Sequence, residues 1–218
     1  MEVSLIRTTD LNICANAIKE CHDTTRNDEL TEKDVNLIDR VGNQMKHGSV
    51  LEHLLYTFQI SGISRAVLQE LARHRMASLT VKSSRYTLKE LKNENSFWYD
   101  SPNDYPLEKS RAEKYLVMTS NELVNDSSIR ALEQLRRMVA KGISNDITKY
   151  CMPESYKTSL TWTINARSLQ NFLELRTSKA ALWEIRNLSN KVFEALPKDH
   201  KFLFENFLAL EMNESSEH

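Results

Sequence analysis

The sequence predicts an α+β fold: a mostly antiparallel central sheet with many helices, one of them long. Two observations predict it. Segments with strand-like alternation are few and short, whereas helical periodicity covers most of the chain. The two kinds are also segregated rather than strictly alternating. The length of 218 residues suits a single domain over 1–218 with a sizeable core.

The elements follow in order. Asp10 to His22 predicts a first helix with Leu11, Cys14, Ile18 and Cys21 on one face, both cysteines being expected as small core residues. Thr31 opens a second helix, and Asp34 makes a capping box with Asp in place of the usual Glu or Gln. Val35, Ile38, Val41 and Met45 mark its buried stripe, and Gly48 ends it. Leu54 to Ile60 alternates as a strand, and Ser64 caps a helix running towards Arg75. Ser78 to Tyr86 is polar and aperiodic, which predicts a loop. Ser96 to Asp100 predicts a short strand, and Pro102 to Pro106 a turn-rich connector. Leu107 to Lys141 is one helical stretch of about 50 Å if unbroken, with Asn125 to Ser128 the place for an interruption. Such a long element suits oligomer contacts. Ser144 caps a short helix that ends before Pro153. Ser155 to Ile164 predicts a strand; Ala166 to Arg176, Ser178 to Leu196 and Asp199 to Leu210 predict helices.

Composition removes several function classes. The net charge is -1, without the basic excess of a nucleic-acid binder, so an anionic ligand must meet a local basic cluster. No apolar run reaches the roughly 18 residues of a membrane span, and Met1 to Asp10 has no secretory pattern. Cys14, Cys21 and Cys151 fit neither a disulfide framework nor a zinc site, which points to a reducing cytoplasm and to no metal. The four glycines, Gly42, Gly48, Gly62 and Gly142, cannot assemble a phosphate-binding loop. A bound nucleotide must be held by side chains and helix ends.

Two polar clusters carry the candidate chemistry. Arg73-His74-Arg75 lies at the end of the Ser64 helix, where the helix dipole alone would favour cations. If helical, the two arginines point about 200° apart and could serve two ligands. The following loop adds Ser83, Ser84 and Arg85, which together can hold a phosphate. Later, Asn165 and Arg167 flank a strand-to-helix junction, Asn171 is one turn beyond Arg167, and Arg176 ends the helix. These polar groups sit among Trp, Leu and Phe, where burial without partners is costly, so they read as ligand contacts.

Together the segments resemble a known family. Arg73-His74-Arg75, seven further residues and then Ser83, extended by Arg85-Tyr86, is similar to the signature of the flavin-dependent thymidylate synthases. Ser49-Val50-Leu51-Glu52-His53 resembles a block before the first strand of that family. Trp162 to Leu169, Asn171-Phe172 and Leu175-Arg176 resemble its second block, with Pro153 and Trp183-Glu184-Ile185 in register. The resemblance covers about residues 45 to 190.

It implies the family's fold, a homotetramer with FAD held between subunits, and reductive methylation of dUMP to dTMP. The carbon would come from 5,10-methylenetetrahydrofolate and the reducing power from NADPH. By resemblance, Ser49, Arg73, His74, Arg75, Val81, Asn165, Arg167 and Asn171 bind the cofactor. Glu70, Arg73, Ser83, Ser84, Arg85, Lys149 and Arg176 bind dUMP. The pattern is departed from in places. Val81 stands where many members carry Glu or Gln and leaves only backbone contacts, and Lys149 replaces an arginine and gives up bidentate geometry. Ala180 stands where some members have a histidine near the flavin, and Gly48 to Glu52 is shorter than in some relatives.

The resemblance also implies how uracil is activated without a cysteine nucleophile. Cys151 has no histidine nearby in sequence and is expected to be a mostly buried structural residue. Arg176 would stabilise the ring ionised at N3, making C5 nucleophilic, and reduced flavin would supply a hydride. Ser83 would orient dUMP, since no base is evident to activate it. Two other readings compete. One is a non-catalytic nucleotide- or RNA-binding module that stacks bases on Trp98, Tyr99 and Trp162. The other is a purely structural helical oligomer organised by the long helix.

Overall fold

The computed structural model describes residues 1–98 and 108–209. Strands β1 (Glu2–Thr8), β2 (Leu55–Ser64), β3 (Ala77–Val81) and β4 (Lys157–Asn165) form one antiparallel sheet in the order β1-β2-β4-β3. The helices are α1 (Leu11–Glu20), α2 (Glu32–Ile38), α3 (Arg65–Leu71), α4 (Ser84–Thr87), α5 (Lys109–Ala112), α6 (Glu122–Ala140), α7 (Asn145–Thr148), α8 (Ala166–Arg176) and α9 (Trp183–Glu194). The chain divides into two compact units: Met1–Ile60, Leu71–Leu79 and Thr161–His218 in the first, Ser61–Glu70 and Thr80–Leu160 in the second.

The two inner strands were the legible ones. β4 alternates strictly, with Thr158, Leu160, Trp162 and Ile164 turned inward. In β2, Tyr56, Phe58 and Ile60 are buried, and then the alternation slips by one so that Ile63 is the next buried residue. Gly62 sits at the slip with φ 71, a left-handed backbone that glycine adopts without strain, so the strand runs on to Ser64. Thr57 and Thr163 hydroxyls meet at 3.0 Å, and Thr161 donates to Gln59 at 3.1 Å, fixing the β2–β4 register. Both strands that the sequence left unread, β1 and β3, stand at the sheet edges and bury no residue on either face. β3 replaces much of the expected Ser78–Tyr86 loop, and α4 occupies its end.

The first unit begins as expected. Asp10 caps α1, and Cys14 is buried against it, donating to the Val50 carbonyl. Burial pushes its thiol up to about 12. Cys21 is exposed, because α1 ends at Glu20 and the stripe ends with it. The capping box is present: Thr31 N–H donates to Asp34 at 3.0 Å, and Asp34 N–H donates back to the Thr31 hydroxyl. Lys19 at 2.6 Å, then Thr31, hold the Asp34 carboxyl down at about 2. Past Ile38 the helix widens into a π-turn, Asp39–Gln44, which shifts the phase and leaves Met45 exposed. Gly48 opens a 3-10 turn, Gly48–His53, instead of ending a helix. Beneath the sheet, Phe58, Trp162 and Phe172 stack in succession. After α9 the chain closes in two 3-10 turns, Lys198–Leu203 and Glu205–Phe207, rather than a last helix; Leu210 lies outside the described residues.

In the second unit the expected helix from Leu107 to Lys141 is two helices. The break lies at 113–121, where Leu116 pairs with Tyr156 in an isolated β-bridge. Asn121 then starts α6 by accepting from the Leu123 and Val124 amides. Asn125 to Ser128 are helical, and Asn125 ties back to Thr119 at 2.8 Å. Ile129, Leu132, Leu135 and Val139 of α6 pack with Leu88, Leu91, Phe97 and Tyr156 as the unit's core. Of the predicted Ser96–Asp100 strand only Trp98 forms a bridge; its last two residues, and the Pro102–Pro106 connector, lie outside the described residues. Among the described residues no helix is long and apolar enough to cross a membrane, and no cluster could hold a metal ion.

Candidate functional site

The first unit contains a cavity of about 690 Å³, within the usual range for a cofactor site. Two segments far apart in sequence build it. One is the turn between α3 and β3. Ser64 caps α3 by accepting from Val67 at 3.1 Å, and the helix ends at Leu71, whose carbonyl accepts from His74 N–H. Arg73 therefore lies in the turn after α3, and His74 and Arg75 in the irregular stretch before β3, so none is on a helix and the expected 200° separation of the two arginines does not apply. Both line the same cavity.

The other segment is the β4–α8 junction. Asn165 caps α8 by accepting from Ser168 N–H at 2.8 Å, and Ala166 N–H donates to the Leu54 carbonyl. The cap fixes the first turn, so Arg167 and Asn171, one turn apart, face the cavity with Asn165, and Arg176 reaches it from the last turn. Arg167 is half-exposed and donates to Glu52 at 2.8 Å. Its side chain lies across Gly48: a Cβ there would stand 2.9 Å from Arg167 Nε. His74 is buried and meets Phe172 edge-on, ring centroids 5.0 Å apart at 78°. Arg176 Nε donates to His74 Nε2 at 3.1 Å.

The cavity thus gathers Arg73, His74, Arg75, Asn165, Arg167, Asn171 and Arg176. Four guanidiniums and one carboxylate, Glu52, line it, and Arg167 pairs with Glu52. Met76 and Leu175 are both exposed and add apolar surface. Such a site suits a ligand with an anionic part and a flat, less polar part. Ser49 is exposed in the 3-10 turn and is not among the lining residues. Glu52, Met76, Ser168 and Leu175 line the cavity without having been singled out as site residues; Glu52, Ser168 and Leu175, inside quoted motif blocks, carried a signal, and Met76 did not.

The remaining candidates belong to the second unit. Ser83 is exposed at the start of α4, where its carbonyl, not its hydroxyl, receives the Tyr86 and Thr87 amides. Ser84 begins α4. Arg85 grips Asp146 of α7 at 2.7 Å, while Asn145 donates to the Arg85 carbonyl. Lys149, one turn past Asp146, opens the 3-10 turn Lys149–Cys151. Arg85 thus stands on α4, which packs against α7, and Lys149 directly follows α7. Glu70 is half-buried in the last turn of α3, and Val81 is half-buried at the end of β3. Cys151 is exposed rather than buried, because the 3-10 turn carries it outward. Trp162 is fully buried and so unavailable for base stacking, Arg130 lies 4.6 Å over Trp98, and Tyr99 lies outside the described residues.

Comparison with known proteins places the chain beside characterised relatives. The family model described as "Thymidylate synthase complementing protein" matches residues 4–200. The flavin-dependent thymidylate synthase of Wolinella succinogenes is 61% identical over 205 residues, 94% of this chain and 97% of the relative. That of Campylobacter jejuni is 57% identical over 209 residues, 95% of this chain and 98% of the relative. A crystal structure of thymidylate synthase X from Helicobacter pylori with FAD and dUMP is 50% identical, with a TM-score of 0.88 over 95% of this chain and 99% of that one.

Proposed function

This chain belongs to the flavin-dependent thymidylate synthases, and we propose that it converts dUMP to dTMP with 5,10-methylenetetrahydrofolate as carbon donor, FAD as hydride carrier and NADPH as reductant. The observation that carries the reading is the meeting of Arg73, Arg75, Arg167 and Arg176 around His74 in one cavity.

The residues present suit FAD. Arg73, Arg75 and Arg167 with the Asn165 and Asn171 amides supply donors for its diphosphate and ring carbonyls. Met76 and Leu175 offer apolar surface to its ring, and Gly48 leaves room for Arg167. Once bound, FAD provides hydride transfer. Arg176 stabilises the uracil ionised at N3, since a guanidinium stays cationic and donates in a plane. In the second unit, Ser83, Ser84, Arg85 and Lys149 present hydroxyls and cations suited to the dUMP phosphate, with Glu70 a further dUMP contact and Ser83 orienting the nucleotide. No cysteine is needed as a nucleophile. We take the working form to be a cytoplasmic homotetramer with FAD at subunit interfaces, in which 1–218 acts as one catalytic domain.

The test is direct. Purified protein should be yellow, bleach under NADPH, and oxidise NADPH with methylenetetrahydrofolate only when dUMP is added, releasing dTMP. Colourless protein that gains no visible absorbance with added FAD, or oxidation that yields no dTMP, would overturn the reading.

Gly48→Ala probes the cofactor role separately. The new methyl group must displace Arg167 from its place beside Glu52. Because Arg167 is largely solvated, stability should change by less than about 1 kcal/mol. FAD affinity should fall roughly tenfold, the effect of losing one charge-assisted contact. Fluorescence titration of apoprotein with FAD measures it; unchanged affinity would remove Arg167 from the cofactor site.

A further inference from the structure

We propose that His74 acts as a positioning residue for Arg176, holding the guanidinium plane through Nε2 only while the imidazole is neutral. The inference rests on the uracil-binding role assigned to Arg176 and adds a second residue and a pH dependence to it.

The argument begins with donors and acceptors. A guanidinium has N–H groups only and no acceptor. The 3.1 Å bond from Arg176 Nε to His74 Nε2 therefore requires a lone pair on Nε2. The imidazole must be in its neutral form with the proton on Nδ1. The ring is itself held, since it is buried and rests edge-on against Phe172, one turn before Arg176 on the same helix. A fixed acceptor on Nε constrains the orientation of the planar guanidinium.

A proton placed on Nε2 would face the Arg176 N–H directly. The charged groups lining the cavity around it are Arg73 and Arg75 from the same turn, Arg167 and Arg176 from α8, and Glu52 from the 3-10 turn. Glu52 is already paired with Arg167. A protonated ring could no longer accept from Arg176, which would turn away. The bond is kept while the ring is neutral and is lost once Nε2 gains a proton, so dUMP affinity should fall as the pH is lowered through that step.

Dissociation constants for dUMP, measured by perturbation of flavin absorbance in FAD-saturated protein between pH 5.5 and 8, test this. The dUMP phosphate itself gains a proton near pH 6, but that contribution is common to all variants, so ratios are read. His74→Gln keeps an acceptor that does not titrate. It should bind dUMP within about threefold of the wild type at pH 8, and the wild type should become roughly tenfold weaker relative to it at pH 5.5. His74→Leu, with no acceptor, should be roughly tenfold weaker at pH 8. In an Arg176→Lys background, which lacks Nε, the pH-dependent ratio between His74 and Gln should vanish. The proposal is overturned if the wild-type to His74→Gln ratio stays constant with pH. It is equally overturned if His74→Leu binds as tightly as the wild type, or if the pH effect persists with Arg176→Lys, which would route it through the flavin. Normal dUMP binding by Arg176→Ala would instead sink the role of Arg176 itself.

Discussion

Arg176→Ala is expected to cut dTMP formation at least about 100-fold while the protein stays folded and yellow. The size follows from the kind of interaction removed: one preorganised donor aimed at developing negative charge is worth about 10² to 10³ in turnover. The selectivity follows from position. Arg176 is the last residue of α8, beyond the Asn165 cap and the Arg167 and Asn171 turn that support the cofactor reading. Truncating it leaves the first-turn geometry alone. Arg176→Lys should fall between, because an ammonium keeps the charge but not the planar donors. Single-turnover formation of dTMP, with bound FAD quantified by visible absorbance, reads both effects. Turnover within a few-fold of wild type would show that uracil is activated elsewhere.

What the sequence revealed and what it hid follow a physical line. Inner strands bury one face against a core, so β4 and most of β2 wrote period-two patterns that could be read directly. The edge strands β1 and β3 bury almost nothing, have no such pattern, and were missed. Capping chemistry was legible because it is local: Thr31 with Asp34, and Ser64, act within three residues. The break between α5 and α6 was hidden because its cause is not local. Leu116 is drawn out of helix by pairing with Tyr156, 40 residues away. The site shows the same division. Its arginines were visible as two clusters whose spacing resembles a family signature, and the fold brings both to one cavity. Residue type alone could not show that α3 stops short of Arg73-His74-Arg75. Nor could it show that Glu52 pairs with Arg167, or that His74 accepts from Arg176, since each depends on contacts across 100 or so residues.

The ring packing behind His74 supplies the second large effect. Trp162, on the inner strand β4, is fully buried between Phe58 and Phe172, and Phe172 in turn supports His74. Trp162→Ala should destabilise the protein by about 3–5 kcal/mol, the transfer loss of an indole plus the void left behind. Trp162→Phe should cost much less, on the order of 1 kcal/mol. The smaller ring refills much of the space and removes an indole N–H that is buried without a partner among the described residues. Urea midpoints at equal protein concentration and saturating FAD compare the two, since ligand and self-association both shift apparent stability. The alanine variant should also lose dUMP affinity faster than FAD content, because releasing Phe172 frees His74 before it disturbs the Asn165 cap. Equal losses for alanine and phenylalanine would mean that the N–H, not the packing, matters at this position. A loss below about 1 kcal/mol for alanine would mean that the stack does not support the site.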